Sequence, residues 1–60
     1  MELSFSESGN GLEVFVWFIY NGFFELEMLD YETGETYKSR TFEGLEEDAI
    51  AEARQWLKTF

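Results

Sequence analysis

Apolar residues concentrate in two runs, Leu12–Tyr20 and Phe23–Leu29, separated only by Asn21-Gly22. In the second run they alternate with Glu25 and Glu27, the period of two expected of a strand with one buried face. Asn-Gly between two such runs predicts a hairpin with a two-residue type I′ turn, because both central residues of that turn need positive φ. The strands are then Leu12–Tyr20 and Phe23–Asp30, with Tyr20 opposite Phe23. Counting outward from that pair without interruption sorts the side chains into two faces. Phe15, Trp17, Ile19, Phe24, Leu26 and Met28 form a wholly apolar face, the expected core. Val14, Val16, Phe18, Tyr20, Phe23, Glu25, Glu27 and Leu29 form a mixed one.

The stretch Asp30-Tyr-Glu-Thr-Gly-Glu35 predicts a second hairpin loop, with Asp30 bonding the following backbone and Gly34 in the left-handed position. Pairing Asp30 with Glu35 sets Glu27 opposite Lys38 and Glu25 opposite Arg40 on the mixed face, and sends Tyr37, Ser39 and Thr41 to the core side. A register shifted by one aims Lys38 and Arg40 at the core. Cross-strand charge matching is worth only roughly 0.2–1 kcal/mol, but burying two bases costs far more, so the first register is expected. Leu3 and Phe5 suggest a first strand. A three-residue Gly9-Asn10-Gly11 loop sets them on the core face beside Trp17 and Phe15; a two-residue loop sets them on the other face. From Leu45 to about Lys58 the period changes to that of a helix. Leu45, Ala49, Ile50, Ala53, Trp56, Leu57 and Phe60 share one stripe. Glu46, Glu47 and Asp48 in the first turn and Lys58 in the last suit the helix dipole, with Gly44 as N-cap. The expected fold class is α+β: a single domain over residues 1–60, a four-stranded antiparallel β-meander with one C-terminal helix on one face.

A chain of 60 residues buries only about 60% of its unfolded surface, so its core must use large side chains. Seven Phe and an aromatic content of 20% supply them, while the absence of Cys excludes disulfides and thiolate zinc sites. The net charge is −9, and from Met1 to Tyr37 there are acids but no base. The only bases are Lys38, Arg40, Arg54 and Lys58. Direct binding of nucleic acid needs clustered bases to displace counterions, and anionic membranes repel the chain for the same reason. The uncharged stretch Val14–Tyr20 is too short to span a bilayer. The N-terminus has neither the charged region nor the apolar region of a signal peptide, which reads as cytoplasmic.

Catalytic chemistry has little to build on. The chain has no His, the commonest general base and metal ligand, and Gly9-Asn10-Gly11 precedes a strand rather than a helix, unlike a phosphate loop. Glu25 and Glu27 lie about 7 Å apart along one strand face, near the spacing of paired glycosidase carboxylates, but one sheet and one helix offer no cleft around them. Asp30, Glu32 and Gly34 echo the start of a calcium loop, with the glycine misplaced and Thr41 where the closing Glu belongs. No catalytic, cofactor or metal residue is therefore expected. Two surfaces remain. The acids Glu43, Glu46, Glu47, Asp48 and Glu52 either serve the helix dipole or extend a negative surface that imitates nucleic acid and occupies a basic groove. The apolar part of the mixed face, uncovered by the single helix, is either shielded by sheet twist, the chain termini and the long Lys38 and Arg40 stems or marks an interface with a foreign protein or a second copy of the chain.

The layout resembles that of small phage-borne inhibitors of bacterial defence, including some anti-CRISPR proteins. The shared features are a short meander with an Asn21-Gly22 hairpin, a Thr41-Phe42-Glu43 exit from the last strand and a helix carrying Trp56. The resemblance implies an inhibitor that docks on a host nuclease or its complex. The double-stranded-RNA-binding domain shares the sheet-then-helix order, but Glu46-Glu47-Asp48 stands where that family needs lysines. The expectation is a non-enzymatic protein-binding inhibitor whose contacts come from Val16, Phe18, Tyr20, Glu25, Glu27, Glu46, Glu47 and Asp48. Its alternative is a structural or housekeeping module that homodimerises through the mixed face.

Overall fold

The computed structural model describes residues 1–59, so Phe60, which closes the helical stripe, lies outside the described residues. Four strands, β1 (Glu2–Gly9), β2 (Leu12–Tyr20), β3 (Phe23–Asp30) and β4 (Thr36–Glu43), precede one helix, α1 (Glu46–Thr59). The strands are antiparallel neighbours in the order β1-β2-β3-β4, with α1 packed on one side. This is the α+β meander that the sequence predicts.

The turns differ from expectation in kind. Positive φ at two successive residues occurs at Asn10 (54°) and Gly11 (77°), so the β1–β2 hairpin has the two-residue turn and pairs Gly9 with Leu12. At Asn21-Gly22 only Gly22 is left-handed (85°), which rules out type I′ there. Tyr20 still pairs with Phe23, but the ladder then skips Ile19 and pairs Phe18 with Phe24. The β3–β4 loop closes as expected, with the Asp30 N–H donating to the Glu35 carbonyl at 2.8 Å and Gly34 at φ 78°. One step further in, Leu29 pairs with Thr36 and Met28 with Lys38, skipping Tyr37. Ser4 is skipped in the same way between the Leu3–Trp17 and Phe5–Val16 pairs.

Each skipped residue is a bulge, and an odd insertion reverses which face the rest of a strand presents. The β3 face is as expected: Phe24, Leu26 and Met28 are buried. On β2 the buried set is Leu12, Val14 and Val16, not Phe15, Trp17 and Ile19. On β4, Phe42, Arg40 and Lys38 lie on the helix side, opposite Phe24, Leu26 and Met28, while Ser39 and Thr41 face away opposite Glu27 and Glu25. The expected Glu27–Lys38 and Glu25–Arg40 pairs are therefore not formed.

Ala49, Ala53, Trp56 and Leu57 of α1 complete the core. The two alanines let the helix backbone approach the sheet, while Leu26, Met28, Val14 and Val16 are fully buried beneath it, each contributing roughly 1.5–3 kcal/mol of hydrophobic stabilisation. The helix is tied at both ends to hairpin turns. The Gly44 N–H donates to the Gly22 carbonyl at 2.9 Å, and Asn10 Nδ2 donates to the Leu57 carbonyl at 3.4 Å. Leu45, not Gly44, holds the N-cap position, since its carbonyl accepts from Asp48 and Ala49. Its side chain is 61% exposed and leaves the expected stripe.

Candidate functional site on the open face

One side of the sheet carries the helix; the other is open. Three of the bases are committed to the rim of the helix side. Arg54 Nε bonds Glu7 Oε1 at 3.2 Å, and its guanidinium lies 5.0 Å from the Phe5 ring centre. Arg40 Nη1 reaches Glu52 Oε2 at 3.2 Å and lies 5.5 Å from Phe42. Lys38 Nζ stands 4.6 Å over the Trp56 ring. The long stems let edge residues on the helix side keep their charges in water while covering apolar surface. That is why the register rejected on charge-burial grounds is tolerated.

The open face follows from the strand pairs. Across β1 to β4, its rows are Ser8, Glu13, Leu29 and Thr36; then Ser6, Phe15, Glu27 and Ser39; then Leu3, Trp17, Glu25 and Thr41; Tyr20, Phe23 and Glu43 close it. The middle strands thus present aromatic rings and carboxylates, and the edge strands mainly hydroxyls. Phe15 stacks on Trp17 with ring centres 5.8 Å apart and planes at 25°. Tyr20 lies 4.7 Å from Phe23. The Trp17 indole N–H donates to Glu27 Oε1 at 3.2 Å, and the Thr41 hydroxyl donates to Glu25 Oε1 at 3.3 Å. Phe15, Trp17, Phe23, Glu25 and Glu27 are all half-buried in one another's company. No Lys or Arg occurs in these rows.

The residues expected to form one binding surface are divided among three places. Val16 has no exposed surface and Phe18 packs edge-on against Phe24 at the core margin, so neither lies on the open face. Tyr20, Glu25 and Glu27 do lie there. Glu46, Glu47 and Asp48 form the exposed first turn of α1, in the other layer. The residues that sequence reasoning missed are Phe15 and Trp17, exchanged with Val16 and Phe18 by the Ile19 bulge. The signal that could have found them is Glu13, which shares its parity with Phe15 and Trp17, whereas Leu12, Val14 and Val16 on the other parity carry no charge.

A hollow of about 600 Å³ lies between the hairpin loops and is lined by Asn10, Gly11, Leu12, Asp30, Tyr31, Glu32 and Tyr37. Its polar centre is engaged in loop closure. Asp30 Oδ1 accepts the Glu32 and Thr33 N–H groups at 2.8 and 2.9 Å, and Oδ2 accepts the Tyr37 hydroxyl at 3.1 Å. The backbone donors of Thr33 and Glu32 hold the Asp30 carboxyl below its ordinary range. The bond to Asp30 and that residue's charge push the Tyr37 phenol up. Among the described residues no group of Asp and Glu is placed to hold a metal ion, and no helix is long and apolar enough to cross a membrane. No protein-family model, curated protein or solved structure matches the chain.

Proposed function

We propose that the protein is a non-catalytic binding module that docks on a protein partner through its open sheet face, and that it acts as an inhibitor by filling a basic groove. The observation that carries this reading is the partition of charge. The bases of β4 and the helix lie on the helix side of the sheet or on α1, while Glu13, Glu25, Glu27 and Glu43 share the other side with Phe15, Trp17 and Phe23. Such a surface suits the groove of a nucleic-acid-handling protein, where phosphates are otherwise met by Lys and Arg, and steering speeds the encounter. Glu46, Glu47 and Asp48 add to the long-range field rather than to the contact. The resemblance to phage-borne inhibitors of host defence points to the same kind of target. The homodimeric alternative uses the same aromatic residues but sets carboxylates against carboxylates, with no base in these rows to offset them.

The test is displacement of a labelled duplex from a panel of basic nucleic-acid-binding domains, beside molar mass by light scattering across dilution. A monomer that displaces duplex, with an effect that falls steeply with salt, supports the reading. A stable dimer that protects Trp17, with no displacement at low salt, replaces it with the structural module.

A further inference from the structure

Within the open face, Glu25 and Glu27 are oriented before any partner arrives. Each has one carboxylate oxygen held by a neighbour, Thr41 for Glu25 and the Trp17 indole for Glu27. Their other oxygens have no partner among the described residues. The two groups stand about 7 Å apart along β3, beside the stacked rings of Phe15 and Trp17, which pair with Glu27 and Glu25 across the ladder. An acceptor of this kind next to an aromatic plane distinguishes between the two common cations. A guanidinium is flat, weakly hydrated, stacks on rings and donates through a fork, whereas an ammonium is a strongly hydrated point charge. A second copy of the chain is disfavoured as occupant, because these rows offer acids and no base.

Resting on the docking reading above, we infer that the occupant of the open face is an arginine-bearing segment of the partner, with guanidinium groups on the Phe15–Trp17 stack paired to Glu25 and Glu27. Lysine is the poorer ligand at this site.

Two capped Gly/Ser peptides of equal length and charge, one carrying arginines and the other lysines, test this against the intact protein. Side-chain indole N–H signals in a ¹H–¹⁵N spectrum report the site, with the Trp17 signal assigned through Trp17→Phe. The arginine peptide is expected to bind at least about fivefold tighter and to move the Trp17 indole signal while that of Trp56 stays in place. Glu27→Gln is expected to bring arginine affinity down to the lysine level, and Glu46→Gln to leave the preference intact. Equal affinities with the Trp17 signal moving overturn the arginine inference and leave the acidic docking face standing. Shifts confined to the Glu46–Asp48 amides overturn the choice of face as well. A Trp17 signal that moves with protein concentration alone identifies a second copy as the occupant and overturns both. Binding of neither peptide overturns the arginine inference, with duplex displacement left as the separate measure of the docking reading.

Discussion

On the helix side of the sheet, Lys38, Arg40 and Arg54 each lie over an aromatic ring, two of them also reaching a carboxylate, and together they rim a core of aliphatic side chains, Phe24 and Trp56. On the open side, rings and carboxylates of similar number have no base among them. The same residue types therefore do different work. Where cations are supplied, aromatic residues finish a folding interface. Where they are withheld, the aromatic and acidic groups remain available for cations from elsewhere. A 60-residue chain with so few bases cannot supply cations to both sides, and the register of β4 sends Lys38 and Arg40 to the helix side.

The comparison breaks most decisively if the two faces contribute equally to stability. Leu26→Ala, in the fully buried layer, is expected to cost about 3 kcal/mol in urea denaturation, a large part of what so small a domain has. Phe15→Ser on the open face is expected to cost about 1 kcal/mol or less. Matching losses would make the open face a second core. Next in size is Gly44→Ala. Gly44 has φ 149°, and a Cβ there would stand 3.1 Å from the Phe42 ring, so a loss of about 1–3 kcal/mol is expected, read as a shift in denaturation midpoint. The rim follows. Arg54→Ala removes the Glu7 pair and the Phe5 contact and should cost roughly 0.5–1 kcal/mol, with part of the difference from wild type disappearing in high salt.

The smallest effect is at the loop end, and its sign follows from the direction of each shift. Asp30 titrates lower in the folded chain than when unfolded. Its contribution is present above the unfolded value and is lost as pH falls through the folded one. Asp30→Asn should flatten that acid limb in a pH series of melting temperatures. The Tyr37 phenol is raised, so its contribution is present below the ordinary tyrosine range and is lost as pH rises through the folded value. Tyr37→Phe should remove this alkaline limb while leaving Leu26 as buried as before.

Much of the architecture was legible because turn chemistry and hydrophobic period are local. The bounds of β2 and β3, the Asp30–Glu35 closure with Gly34, the buried Phe24, Leu26 and Met28, and the helix with acids in its first turn all follow from short stretches of sequence. The faces of β2 and β4 did not, because bulges at Ile19 and Tyr37 reverse them. Nothing in the apolar stretch Val14–Tyr20 marks the extra residue, and counting the faces outward from Tyr20–Phe23 leaves out the one charge of β2, Glu13, which shares its parity with Phe15 and Trp17. On β4 the expectation treated a base on the helix side as a buried base. It overlooked that an edge strand lies at the helix margin, where Lys38 passes over Trp56 into water. The candidate site inherited both errors, keeping Tyr20, Glu25 and Glu27 and missing Phe15 and Trp17.

The bulges at Ser4 and Tyr37 have a further consequence, since they fall on β1 and β4, the two outermost strands of the sheet. An uninterrupted outer strand is a template on which another chain adds by backbone pairing, the route to fibrils. Here each template is broken by a misaligned residue, and β4 also carries Lys38 and Arg40. At high concentration in a crowded cell, this protein should stay dispersed rather than polymerise edge to edge, even with an aromatic surface left uncovered.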